Sequence, residues 1–291
     1  MCSQALPLID FDRHAIQNYA GLIGIDEAGR GALAGPVVAA AVWLSSDFLK
    51  NIKLDGLLAK VNDSKQLSPD LREGIFQVIL ELEAKQSLCY SYAMRESQAI
   101  DASNILRTTQ EAMAECLLKL HKEADKLEKE FLAKEPRALD EENAQNNTEL
   151  SLSFCVSFGY IAENDSEGLF SKPHKGAKAQ KPARILIDGS PLKNIPYPHT
   201  TLVKGDTQSF AIALASIVAK VKRDRYMREC QKDYPHFSFS EHKGYGTAHH
   251  REEILQFGPS PLHRASFLKK LYKEQEKPLQ TEFALCTLSL P

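Results

Sequence analysis

The stretch Leu22-Ile23-Gly24-Ile25-Asp26-Glu27-Ala28-Gly29-Arg30-Gly31 decides the architecture of this chain. An apolar run ends in two adjacent carboxylates, and a glycine-flanked arginine follows. Side chains alternate along a strand, so Asp26 and Glu27 cannot both face the same side while the strand stays regular. One of them must be the inner ligand of any site built here. Gly29 and Gly31 let the backbone come close to a ligand, and Arg30 carries a fork of donors suited to phosphate. This order of residues points to metal-dependent phosphodiester chemistry.

Working outward, Val37-Val38-Ala39-Ala40-Ala41-Val42-Trp43-Leu44 reads as a second buried strand, and the pair predicts a hairpin-like start to a sheet. Ser68-Pro69 opens an amphipathic helix, with Leu71, Ile75, Val78, Ile79 and Leu82 at helical spacing. Residues 87–94 form a short strand candidate and residues 99–120 a second helix, so strand and helix alternate as in an α/β domain. The apolar run Ala183-Arg184-Ile185-Leu186-Ile187 ends in Asp188-Gly189, which puts a carboxylate at a strand's C-terminal edge, where α/β sheets present ligands. A short strand follows over residues 200–204. Gly205-Asp206 then leads into a long helix from about residue 207 to 230, whose Ala211, Ala213, Ala215, Ser216 and Ala219 allow close packing on a sheet.

Between residues 121 and 182 the character changes to a charged run, an Asn/Gln/Glu-rich run and a Lys/Gly/Pro-rich run. We expect an accessory insertion there, although residues 151–161 are apolar enough for a strand. The whole chain has 291 residues and a formal net charge of -2, which by itself gives no support for nucleic-acid binding. The distribution says more: residues 184–275 hold 15 Lys and Arg against 9 Asp and Glu, a basic half that also contains essential acids. Six scattered cysteines show no metal-type spacing and read as reduced thiols. Residues 1–20 lack the apolar core of a signal peptide, and the longest uncharged apolar stretch, residues 32–44, is too short to span a bilayer. The expected location is cytoplasmic, without a membrane partner.

Asp26, Glu27, Asp188 and Asp206 stand out because each is attached to a strand end or a helix start. Two-metal phosphoryl chemistry needs such hard oxygen ligands, holding divalent cations about 3.5–4 Å apart. Taken singly, each acid is better explained as a cap or turn residue. Gly29, Gly31 and Gly35 do not form a dinucleotide loop, since the third glycine is one position late and the preceding carboxylates would repel a pyrophosphate. His242-Lys243-Gly244-Tyr245-Gly246-Thr247 is either a turn or a mount for an aromatic that stacks on a sugar or base. Asn62-Asp63-Ser64-Lys65 is either a phosphate-contacting loop or the turn before the Pro69 helix. His249, His250 and His263 lack the spacing of a metal site and read as surface or packing residues.

Together these motifs resemble the bacterial ribonuclease HII family, the type 2 ribonucleases H. The resemblance rests on Ile25-Asp26-Glu27-Ala28-Gly29-Arg30-Gly31, Asn62-Asp63-Ser64-Lys65, Ile187-Asp188-Gly189, Lys204-Gly205-Asp206, Ala215-Ser216-Ile217-Val218-Ala219-Lys220, His242-Lys243-Gly244-Tyr245-Gly246-Thr247 and Pro261-Leu262-His263-Arg264-Ala265-Ser266-Phe267, in family order. It implies an α/β fold: a ribonuclease H-like core with a mixed central sheet flanked by helices, plus a helical C-terminal part. The catalytic domain would span residues 18–272, interrupted at about 121–182, with residues 273–291 as a tail.

By motif, Asp26, Glu27, Asp188 and Asp206 become the metal-binding and catalytic acids, with Mg2+ or Mn2+ as the cofactor. Gly29, Arg30 and Gly31 would surround the ribonucleotide and read its 2′-hydroxyl through main-chain groups. Tyr245 would stack on the next sugar, and Ser64 and Lys65 would contact phosphate. The implied reaction is endonucleolytic hydrolysis of RNA in RNA–DNA hybrids and 5′ of single ribonucleotides in duplex DNA, leaving 3′-hydroxyl and 5′-phosphate ends. No obligate protein partner is evident. Asp224 lies five turns along its helix from Asp206 and reads as a structural ion-pair residue. Ala32 stands where many relatives have proline and Ser190 where asparagine often follows the Asp-Gly pair; neither removes a ligand. Two rival readings are a type 3 ribonuclease H, which would carry a distinct N-terminal substrate-binding domain, and a silent binding module, which would lack one or more of the acids.

Overall fold

A computed structural model describes residues 4–17, 19–134, 183–189, 192, 195 and 197–275. Its sheet has five strands: β1 (Gly21–Ala28), β2 (Val37–Ser45), β3 (Leu88–Arg95), β4 (Ala183–Asp188) and β5 (Thr200–Leu202), in the order β3-β2-β1-β4-β5. β1 pairs antiparallel with β2, through Ile25↔Ala41, and parallel with β4, through Ile25↔Ile187. β2 is antiparallel to β3, and β4 parallel to β5. The sheet is therefore mixed, and the two runs read as buried strands occupy its centre.

Alternation along β1 divides the core into two faces. Ile23 and Ile25 pack with Ala112, Met113, Cys116 and Leu117 of helix α5 (Ile105–Lys134). Leu22 faces the other way, toward helix α6 (Phe210–Asp233), whose residues 210–219 are all buried. Gly24 lies on that second face, where a Cβ would overlap the Ala211 and Ile212 backbone. The missing side chain is what lets α6 run close enough for its Ser216 to reach the strand's end. Helix α1 (Leu6–Ala15) anchors the same helix start, since Asp12 Oδ2 accepts from Ala211 N at 2.9 Å. Helix α2 (Ser46–Asn51) follows β2, and α3 (Pro69–Ala84) begins where expected, with Ser68 Oγ accepting from Leu71 N.

Several boundaries differ from expectation for local reasons. The helix expected over 99–120 is two helices, α4 (Ser97–Ala102) and α5, because Ser103 leaves helical geometry and Asn104 caps the restart by accepting from Arg107 N. α5 then runs on to Lys134, so the charged stretch after residue 121 begins as helix. The long helix starts at Phe210 and not near residue 207, since Gly205–Thr207 forms a 3-10 turn and Ser209 supplies the N-cap. Lys204 adopts a left-handed backbone, which ends the strand expected over 200–204 at Leu202. The strand expected over 151–161, and most of the expected insertion, lie outside the described residues.

The C-terminal part is helical: α7 (Phe239–His242), α8 (Ala248–Phe257) and α9 (Ala265–Gln275). Met227, Phe237, Phe239, Ile254 and Leu268 give it a core of its own, closed against Ala34 of the loop between β1 and β2. Among the described residues, no helix is long and apolar enough to cross a membrane.

Candidate active site

The acids come together because the strands bearing them are neighbours in register. Ile25 and Ile187 are partners, so Asp26 and Asp188 leave adjacent parallel strands one residue later, on the α6 side of the sheet. Asp188 Oδ1 accepts from Gly205 N at 2.6 Å, which fastens β4 to the turn carrying Asp206. Asp26 is the inner carboxylate, 5% exposed, and hydrogen-bonded by Glu27 N at 2.7 Å and by the Ser216 hydroxyl. Ser216 Oγ also meets Ser64 Oγ at 2.8 Å, tying the Asn62-Asp63-Ser64-Lys65 loop to α6. Lys65 Nζ then stands 3.8 Å from Asp206 Oδ2. Glu27 takes the other side of the strand and pairs with Arg30 at 3.1 Å.

Of the ten residues singled out by sequence, nine line one cavity of about 330 Å³: Asp26, Glu27, Gly29, Arg30, Gly31, Ser64, Lys65, Asp188 and Tyr245. Asp206 stands one ion pair behind it, through Lys65. A larger cleft, about 800 Å³ near Trp43 and Tyr90, contains none of them. The electrostatics of the cavity are strained. Burial first, then the Glu27 and Asp188 charges, pushes Asp26 well above the ordinary carboxylate range. Burial also raises Glu27, against the pull of Arg30, and raises Asp206, with Asp188 and Asp63 adding to the effect. Lys65 moves up as well: partial burial opposes the shift, but Asp206, Asp63, Asp26 and Asp188 outweigh it.

These hard oxygen donors fit a divalent cation, which would relieve a repulsion that the chain's own cations do not neutralise. Among the described residues, no three His, Cys, Asp or Glu side chains already close on one metal position. The candidate ligands surround the cavity more openly than a bound ion would require.

The loop after β1 is held from beneath by two arginines that we did not single out. Arg223 donates to the carbonyls of Pro36, Lys243 and Ala34 at 2.9, 2.8 and 3.1 Å. Arg264 donates to Gly35 O at 3.0 and 2.8 Å and to Arg30 O at 3.0 Å. The two loop glycines thus have different duties. Gly29 has φ +95°, and a Cβ there would overlap the Arg223 side chain. Around Gly31 a Cβ would meet nothing within 4 Å, so the protein's own packing does not demand glycine there. That leaves approach by a ligand as its physical use.

Tyr245 is half-buried across the cavity, paired with Ala32 in an isolated β-bridge. Lys220 Nζ and the Arg223 guanidinium lie 5.4 and 5.0 Å from its ring centre. Ser216 and Lys220 are the site residues that our reading left unassigned. Their signal was a hydroxyl in an otherwise apolar helical run, with a cation one turn later on the same face. Asp224 is the ion-pair residue expected, 2.7 Å from Lys220 Nζ and 3.6 Å from Arg72.

A mixed sheet with carboxylates gathered at the ends of β1 and β4, beside a turn that brings a fourth acid, defines a nuclease of the ribonuclease H class. The chain belongs to the ribonuclease HII family: that family's model matches residues 23–153 and 176–272. It is 38% identical to ribonuclease HII of Chloroflexus aurantiacus over 86% of this chain and 88% of that one. Ribonuclease HII of Syntrophotalea carbinolica is 36% identical over 90% of this chain and 91% of its own. Two solved structures share the fold. The ribonuclease H2 of Pyrococcus horikoshii has a TM-score of 0.52 at 19% identity, covering 88% of this chain and 100% of that chain. Bst-RNase HIII in complex with Mn2+ has a TM-score of 0.52 at 16% identity, covering 91% of this chain and 73% of that chain. The protein is a hydrolytic endonuclease with ribonuclease H activity, from a family that depends on divalent metal.

Proposed function

We propose that this enzyme hydrolyses the RNA strand of RNA–DNA hybrids and cuts 5′ of single ribonucleotides embedded in duplex DNA. The supporting observation is the grouping of three acids, an unobstructed Gly31 and the Tyr245 ring around one cavity, with Asp206 one ion pair behind it. Asp26, Glu27, Asp188 and Asp206 would hold two divalent cations, Mg2+ or Mn2+. Such ions lower the pKa of water and offset charge on the phosphate.

The chain's own residues select and orient the substrate. Main-chain groups at Gly29, Arg30 and Gly31 read the ribose 2′-hydroxyl, where an open Gly31 permits contact with the sugar edge. The Tyr245 ring stacks on the following deoxyribose. Lys65 and Ser64 approach the phosphate from the opposite wall, and Arg30 offers its donors beside Glu27. Water attacks phosphorus, the bond to the upstream O3′ breaks, and a proton passes to that oxygen. The products carry 3′-hydroxyl and 5′-phosphate ends. We assign catalysis to residues 18–272, with an accessory insertion at about 121–182 and a tail over 273–291. We place the enzyme in the cytoplasm, consistent with unpaired Cys89, Cys116 and Cys230.

The test is incubation with a labelled duplex containing one ribonucleotide, in Mg2+, Mn2+ or EDTA, followed by mapping of the product ends. A metal-dependent cut on the 5′ side of the ribonucleotide is expected. Cleavage of long hybrids alone would replace this reading with a type 3-like specificity.

A further inference from the structure

Behind Tyr245, three histidines are buried side by side: His250 is fully buried, and His242 and His263 nearly so. Their hydrogen-bond partners leave one consistent set of neutral tautomers. Ser260 N donates to His263 Nδ1 at 2.9 Å, so the ring proton of His263 is on Nε2 and points at His250 Nε2, 3.1 Å away. His250 Nε2 must accept, which puts its proton on Nδ1, 2.9 Å from the Tyr245 carbonyl. Gly244 N donates to His242 Nδ1 at 3.0 Å, and His242 Nε2 donates in turn to Glu253 Oε2 at 2.9 Å. The His242 and His250 rings stack with centroids 4.0 Å apart.

The two ends of this chain grip one loop. Tyr245 bridges to Ala32, and His263 bridges to Ala34. Between them Gly244 O accepts from Leu33 N at 2.8 Å. His250 joins these flanks from behind and approaches neither the acids nor the cavity. Burying imidazoles in place of apolar side chains costs desolvation, and a satisfied polar chain returns directional positioning that apolar packing does not.

We propose that the Tyr245–His250–His263 chain is a positioning device that fixes the Tyr245 ring against the 29–35 loop and so sets the preference for a ribonucleotide–deoxyribonucleotide junction over continuous hybrid. The proposal rests on the reading of Tyr245 and this loop as substrate contacts. His250 acts through Tyr245 and does not itself touch the substrate.

The test compares kcat and KM on a single-ribonucleotide duplex and on a continuous hybrid, for His250→Phe, His250→Asn, Tyr245→Ala and the double variant His250→Phe/Tyr245→Ala, with circular dichroism confirming the fold. His250→Phe should lower kcat/KM on the embedded ribonucleotide about tenfold more than on the hybrid, the scale expected of a small misplacement. His250→Asn, whose amide can donate from the Nδ1 position, should recover part of that selectivity. Added to Tyr245→Ala, the Phe change should alter the ratio little further. Equal losses on both substrates, an Asn variant no better than Phe, or independent multiplication of the two losses would overturn the proposal. If His250→Phe does not fold, His263→Met removes the donor to His250, together with the acceptor of Ser260, without touching Tyr245, and a wild-type ratio there would equally overturn it. A Tyr245→Ala enzyme with unchanged selectivity would refute the reading of Tyr245, and the proposal with it. Selectivity lost in Tyr245→Ala but kept in His250→Phe would refute the proposal alone.

Discussion

Arg223 and Arg264 are fully buried, and each of their three guanidine nitrogens donates to a backbone carbonyl of the loops that border the cavity. Asp26 and Asp206 are almost as deeply buried, yet their near neighbours include other carboxylates. The first arrangement also buries two neighbouring cations, and burial, with Arg223 adding repulsion, lowers Arg264 to about 9, but every guanidine nitrogen has a carbonyl acceptor and the group holds shape. The second keeps like charges together in a desolvated setting, a cost that makes physical sense where a cation and a phosphate are to be bound. Shape and chemistry are thus carried by adjacent groups of opposite character. Weakening one should damage stability, and weakening the other should damage activity.

The largest separation of the two effects is expected for Asp188→Asn. It should reduce turnover on the order of 10³-fold or more, leave duplex binding nearly intact, and raise the melting temperature by relieving the field on Asp26. Steady-state kinetics, gel-shift titration and thermal melting would check this; full activity in a folded protein would count against the assignment of the acids. Arg264→Met should do the converse. It strips Arg30 O and Gly35 O of their donors and should cost about 3–5 kcal/mol in urea unfolding. A variant as stable as wild type would show that the arginine anchors nothing.

The glycine pair tests the same contrast within one loop. Gly29→Ala should lose about 1–3 kcal/mol of stability, through its positive φ and the Arg223 side chain behind it. Gly31→Ala should unfold like wild type but cut embedded ribonucleotides roughly 10²-fold more slowly, by displacing the substrate. Equal destabilisation of the two variants would remove the case for Gly31 as a ligand contact.

The smallest effect is one of pH, and it runs in opposite directions in the two halves. Burial lowers His250 and His263 to about 4 from the ordinary 6.5, with His242 adding repulsion and Glu253 opposing it. Their neutral forms therefore contribute stability that is complete above pH 6.5 and lost as pH falls through about 4. Asp26, Glu27 and Asp206 are raised, so their contribution is complete below the ordinary carboxylate range and lost as pH rises. Amide exchange on acidification should show protection falling around residues 239–268 while the end of β1 holds or gains. A uniform change across both regions would contradict these shifts.

The strained half was largely legible in the sequence and the supporting half was not. Asp26, Asp188 and the two central strands announce themselves, because an apolar run ending in a carboxylate at a glycine is a local pattern. The mixed sheet came with the family resemblance. Arg223 and Arg264 gave no such signal, since a lone arginine reads as exposed unless the carbonyls that receive it are known, and apart from Lys243 O those lie nearly 190 residues or more away. His250 and His263 read as surface or packing residues, and the structure buries both, but their hydrogen-bonded link to Tyr245, and its seating on the loop through two β-bridges, is something no spacing encodes. The break at Ser103 and the continuation of α5 to Lys134 escaped for a different reason: a cap is only a weak sequence signal, and charged residues suit an exposed helix as well as a loop.

The most direct test of the stored repulsion needs no substrate. Thermal unfolding of the wild-type protein and of Asp188→Asn would be followed with increasing Mn2+. The expected result is a rise in wild-type melting temperature that saturates with Mn2+ and is largely lost in the variant, because a ligand that binds only the folded state stabilises it by mass action. No Mn2+-dependent rise in the wild type, or the same rise in both proteins, would contradict the assignment of a divalent cation to these four acids.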